Sequence, residues 1–171
     1  KAFITILSKI TNFLSYSDGF SASGYRSFSA LFGVANVKAI GAGNRFNTLN
    51  TNSYLFAYGC GGGSGSNATG VGSTVAFASN DPPAIFTMLF GSYFGDWDQW
   101  SDSLMRAPLA GSTYGLTCAW AGRPRWMFHH MGLGETIGFS TKLAQNNSSL
   151  YAAGNSTRGV HIALLGDPTL R

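Results

Sequence analysis

The run Ile85-Phe86-Thr87-Met88-Leu89-Phe90 restricts this chain more than any other stretch. It is apolar at consecutive positions and rich in β-branched and aromatic types, so it predicts a strand covered on both faces, as in the interior of a parallel sheet. The run breaks at Gly91 into a loop carrying Ser92, Tyr93, Asp96, Trp97 and Asp98. In open α/β sheets, ligands bind where strands empty into such loops, so a function is expected here.

Five further strands are expected on the same grounds, at Ala2–Leu7, Val37–Ile40, Ser53–Tyr58, Tyr114–Ala119 and Val160–Leu165. Helical spacing separates several of them. Ser21 or Ser23 can cap a helix that aligns Tyr25, Phe28, Leu31 and Phe32 and stops at Gly33. A second helix is predicted over Gln99–Ala110, and a third over Glu135–Gln145 with Ile137, Ser140, Thr141 and Ala144 on one face. Gly- and Asn-rich loops are expected between Ile40 and Asn52 and after Tyr58. Strands alternating with helices predict a three-layer α/β fold, a mostly parallel six-stranded sheet with helices on both faces. With 171 residues and no internal repeat, residues 1–171 read as one domain.

Only 11% of residues are charged, against about 25% in ordinary soluble domains. Such a neutral, aromatic-bearing surface suits burial against a protein or peptide partner, or assembly. The net charge is +4, but the 11 Lys and Arg are scattered, without the clustering that nucleic acid requires. Glycines and polar residues interrupt every apolar run before the roughly 20 residues of a membrane span. The chain opens at Lys1, as in a mature or trimmed piece of something longer, and the sequons at Asn67, Asn146, Asn147 and Asn155 matter only in a eukaryotic secretory route.

The glycine cluster Gly59-Cys60-Gly61-Gly62-Gly63-Ser64-Gly65 follows a strand, but no Gly-x-Gly-x-x-Gly or Gly-Lys-Ser/Thr ending completes a nucleotide motif. It reads as a flexible crossover turn, and no cofactor is expected. Asp96 and Asp98 offer too few ligands for a metal, and are expected to cap the next helix or pair with Arg123 or Arg125. His129 and His130 would point about 100° apart on a helix, a poor chelating pair. If the third and fifth strands flank the fourth, Cys60 and Cys118 stand about two strand spacings apart, beyond disulfide reach. Cys118 then belongs to the core. Cys60, at a strand end, is the thiol with a chance of reactivity.

The strand order and the ending Leu165-Gly166-Asp167-Pro168-Thr169-Leu170-Arg171 resemble the gingipain-type cysteine peptidases, whose catalytic domain has the caspase-like (flavodoxin-like) fold. Asp102-Ser103-Leu104-Met105-Arg106-Ala107 and Thr136-Ile137-Gly138 fit the same pattern. The resemblance implies a catalytic His-Gly pair after the third strand and a nucleophilic cysteine at the end of the fourth. Here Gly61 falls in the histidine slot and Thr87 or Met88 in the cysteine slot, with Ser92 just beyond, so the dyad is missing.

Two functions follow. The preferred one is a non-catalytic relative, a bacterial, secreted peptidase homologue that binds or assembles; the extracellular location is implied by the resemblance alone. The alternative is a cysteine hydrolase with a rebuilt site, using Cys60 as nucleophile and His129 or His130 as base, with Asp96, Asp98 and Arg123 lining it.

Overall fold

A computed structural model describes residues 3–7, 20–40, 45–121, 128–146 and 162–171. The chain is an α/β protein built on a mixed sheet. Strands β1 (Phe3–Leu7), β2 (Val37–Ile40) and β3 (Tyr54–Cys60) are followed by three two-residue strands, β4 (Gly63–Ser64), β5 (Asn67–Ala68) and β6 (Gly72–Ser73). Three longer strands complete the set: β7 (Ala84–Phe90), β8 (Thr117–Ala121) and β9 (Ile162–Gly166). The main sheet runs β2-β1-β3-β7-β8-β9, and β4, β5 and β6 form a separate antiparallel sheet. Pairings from β2 through β8 are parallel, whereas β9 runs antiparallel to β8.

The apolar run lies where its composition demands. β7 sits between β3 and β8 and is buried along nearly its whole length. Alternate residues of β3 and β7 feed two different cores. Phe56, Tyr58, Phe86, Met88 and Phe90 pack on one face with Phe28, Ile137 and Ala144; Leu89 and Cys118 pack on the other with Phe77, Leu104 and Met105.

The first face is covered by helices α1 (Phe20–Phe32) and α4 (Ile137–Gln145). Phe28 is buried, with Tyr25, Leu31 and Phe32 packed beside it, as the spacing requires. The helix begins at Phe20, so Ser21 and Ser23 lie inside its first turn rather than before it. Gly33 follows at φ 77° and ψ 147°, an extended positive-φ conformation open to glycine, and its amide donates to Ser29 O at 2.9 Å. On α4, Thr136 caps the N-terminus by accepting from the Phe139 amide, and Ile137, Ser140, Thr141 and Ala144 are its buried residues. The opposite face carries α3 (Thr74–Asn80) and the short α2 (Arg45–Leu49), whose Phe46 meets Phe77 edge-on. Neither helix is expected from the sequence, because both are short and embedded among glycines and asparagines.

The helix predicted over Gln99–Ala110 does not form. Its backbone and side chains serve other contacts: the Leu104 amide donates to Gly65 O, and Arg106 Nη2 donates to the carbonyls of Trp100 and Ser101. Only a 3-10 turn at Ala107–Ala110 remains, with Pro108 at its start. Leu104 and Met105 still reach the core, so apolar spacing there reports burial rather than a helix.

The closing signature has a structural role. Asp167 accepts from both the amide and the hydroxyl of Thr169, at 2.8 and 2.7 Å, and folds the tail into a turn. That turn sets the Pro168 and Leu170 carbonyls against the Gly138 and Ile137 amides, each at 2.9 Å, occupying donors the first turn of α4 cannot use internally. A Cβ at Gly138 would stand 2.7 Å from Pro168 Cβ, so the close approach requires glycine. The Thr136-Ile137-Gly138 and Gly166-Asp167-Pro168 segments thus hold each other.

Candidate functional site at the strand ends

The C-terminal ends of β3 and β7 lie side by side, with Cys60 paired to Phe90. The Gly61 amide donates to Phe90 O at 3.0 Å, and Trp120 Nε1 donates to Gly91 O at 2.9 Å, fixing where the two loops leave the sheet. The glycine loop, expected as a flexible turn, contributes to regular structure. Its residues build the β4-β5-β6 sheet, and Trp100 lies on Gly65, where any Cβ would overlap the indole. The glycines serve close packing. Asp102 clamps the arrangement by accepting from Thr74 Oγ1 at 2.6 Å.

Thr87 and Met88 lie within β7, 2% and 0% exposed, and contribute to opposite cores. A side chain in either position could not meet a substrate at the rim. Gly61 is at the rim, and Ser92 is solvent-exposed just past β7, followed by Tyr93 at φ 70°, a strained conformation for a non-glycine residue. Asp96 and Asp98 are exposed; Asp98 accepts from Gln99 Nε2 at 3.0 Å, and no helix follows for either to cap. Arg123 and Arg125 lie outside the described residues, so their expected pairing does too.

Cys60 and Cys118 are not joined in a disulfide, and β7 lies between their strands. Cys118 is fully buried and burial raises its pKa far above the ordinary thiol value. Cys60 packs against the first core, and burial pushes its thiol up to about 11, although the Tyr58 hydroxyl and the Arg45 charge pull the other way. Tyr58 is itself raised well above its ordinary value, by burial and by the neighbouring Cys60. His129 and His130 stack on each other with ring centroids 4.2 Å apart, in a 3-10 turn at His129–Leu133, and His130 meets Phe139 of α4 edge-on. Burial and the neighbouring His130 lower the His129 pKa. They form a packed pair at the α4 end of the first face.

No protein-family model, curated protein or solved structure matches the chain.

Arg45 escapes a reading of the sequence altogether, since a lone arginine in a Gly/Asn-rich stretch carries no pattern. It is 2% exposed, on the face of β3 opposite Cys60. Its Nη1 donates to Tyr58 O at 3.1 Å, and its guanidinium lies 5.5 Å from the Phe77 ring centre. Burial lowers its pKa to about 10, which leaves it charged at neutral pH. Among the described residues no helix is long and apolar enough to cross a membrane, and no cluster of His, Cys, Asp or Glu could hold a metal ion.

Proposed function

We propose that this chain is a non-catalytic, gingipain-type peptidase homologue with a caspase-like sheet, working outside the cell by binding a protein or peptide. The state of Cys60 carries the reading. A nucleophilic cysteine needs a lowered pKa and a base at hand, whereas burial holds this thiol near 11, so about one in ten thousand is ionised at pH 7. The sheet order supports the fold assignment: β2-β1-β3-β7-β8 is the 2-1-3-4-5 order of flavodoxin-like sheets, extended by one antiparallel strand. The loop leaving β7 supplies a surface for the partner, with Tyr93, Trp97 and Trp100 at 65%, 44% and 45% exposure. Exposed aromatics interleaved with the exposed carboxylates of Asp96 and Asp98 are what such a binding face offers.

The test is hydrolysis of a mixed peptide library by the wild-type chain and by Cys60→Ala. No cleavage by either protein is expected. Cleavage that disappears in Cys60→Ala would overturn the reading in favour of a rebuilt hydrolase.

A further inference from the structure

Between Arg45 and Arg106 the chain carries four aspartates and no Lys, Arg or His, although its net charge is +4. Two of those carboxylates are engaged: Asp81 accepts from Ser112 and Thr113, and Asp102 accepts from Thr74. The other two, Asp96 and Asp98, are exposed in the loop leaving β7, where Asp98 accepts from the neutral amide of Gln99. Neither meets a cation among the described residues. Arg106, the nearest cation in the sequence, spends its Nη2 on the carbonyls of Trp100 and Ser101.

The loop is held as two successive turns, the Asp96 amide donating to Tyr93 O at 3.0 Å and the Gln99 amide to Asp96 O at 3.1 Å. Each turn brings its first and last Cα within about 7 Å, so the residues from Tyr93 to Trp100 form one compact patch. Its inner side is anchored. Phe94 is fully buried, Gly95 lies on the Trp120 indole, and Trp100 lies on Gly65. Tyr93, Trp97 and the rest of Trp100 stay open to solvent, alternating along the turns with Asp96 and Asp98. Aromatic faces attract a cation through their quadrupole, and the carboxylates supply the opposite charge. An exposed ion pair gives a strongly hydrated ammonium little, so the patch favours a cation that sheds its water cheaply and gains from the rings. We propose that this loop is a docking site for a small, free quaternary ammonium compound, its methyl groups against Tyr93, Trp97 and Trp100 and its charge balanced by Asp96 and Asp98. The inference rests on the reading that the β7 loop is the binding face, and names the chemistry that face takes.

The test is a saturation-transfer NMR titration of the whole chain with choline, its uncharged carbon isostere neohexyl alcohol, and N-acetylarginine amide. Choline should bind saturably and at least about fivefold more tightly than neohexyl alcohol, as expected for a cation against two or more rings. Trp97→Leu and the double variant Asp96→Asn/Asp98→Asn alter exposed side chains; each should keep the wild-type far-UV circular dichroism and lose at least about threefold in choline affinity. The proposal is overturned by absence of saturable choline binding, by equal affinity for neohexyl alcohol, or by choline affinity unchanged in either variant. Tighter binding of N-acetylarginine amide than of choline would also overturn it, in favour of a cationic peptide side chain on the same loop. Because the readout is binding, loss of this proposal leaves the non-catalytic reading standing, and peptide cleavage that depends on Cys60 would overturn that reading without touching this loop.

Discussion

The two faces of β3 at its C-terminal end bury an ionisable group each, and treat it oppositely. On one face Cys60 is held neutral, hydrogen-bonded with Tyr58 and packed on an aromatic core. On the other, Gly59 leaves room for Arg45, which stays charged with its Nε and Nη2 lacking a hydrogen-bond partner. A residue two positions along a strand shares its face, and a neighbour takes the opposite one, so Tyr58-Gly59-Cys60 divides these environments by alternation alone. The thiol singled out in the sequence is therefore held neutral on one side of the strand, and the unnoticed arginine keeps unsatisfied donors on the other.

The comparison breaks hardest at Gly59. A Cβ there would overlap Arg45 Nη1 and stand 2.8 Å from Val71, so Gly59→Val should cost about 3 kcal/mol by urea denaturation. A loss below about 1 kcal/mol would mean that Arg45 moves freely and is not seated.

Alkaline pH probes the other face. Cys60 is raised from 9.0 to about 11 and Tyr58 is raised as well, so the folded state keeps protons that the unfolded chain releases. Their contribution to stability is full below about pH 9 and should be lost as pH rises through about 11. Urea midpoints measured from pH 8 to 11 should fall in wild type, and fall less in Cys60→Ala. Identical pH profiles would show that the thiol is not desolvated. Tyr58→Phe sharpens the same point, costing about 1 kcal/mol for the lost hydroxyl contact and raising the Cys60 pKa further.

The smallest expected effect is Arg45→Met. Removing a buried charge whose donors are half unused should change the stability of the ligand-free chain by less than about 1 kcal/mol, since desolvation relief offsets the lost bond to Tyr58 O. A loss above about 2 kcal/mol would make Arg45 a structural tie instead of an open donor.

These contrasts explain what was legible in the sequence. Long apolar elements were: the run at Ile85–Phe90 lies inside the sheet, Phe28 and its neighbours face the core, and the α4 face is buried residue for residue. Elements whose periodicity is spent on something else were not. Leu104 and Met105 are core residues held by turns, and the backbone of Gln99–Ala110 bonds to the glycine loop and to its own arginine. Glycine runs carry no sign of whether they bend freely or admit a tryptophan, as Gly65 does. For the candidate site, the adjacency of the third and fourth long strands was legible, and the ends of β3 and β7 do lie side by side. Thr87 and Met88 were singled out through the resemblance, by matching Gly91, and they lie buried within β7.

The central claim is that Cys60 is a desolvated thiol and not a nucleophile. The most direct measurement is the rate of iodoacetamide alkylation of wild-type protein between pH 5 and 11, read on the Cys60-containing peptide by mass spectrometry. The account predicts slow labelling up to pH 9 and a rise only as the solution nears the thiol's pKa of about 11. Rapid labelling that titrates below about pH 8, under the ordinary thiol value, would reveal a base or positive field acting on Cys60 and contradict the non-catalytic reading.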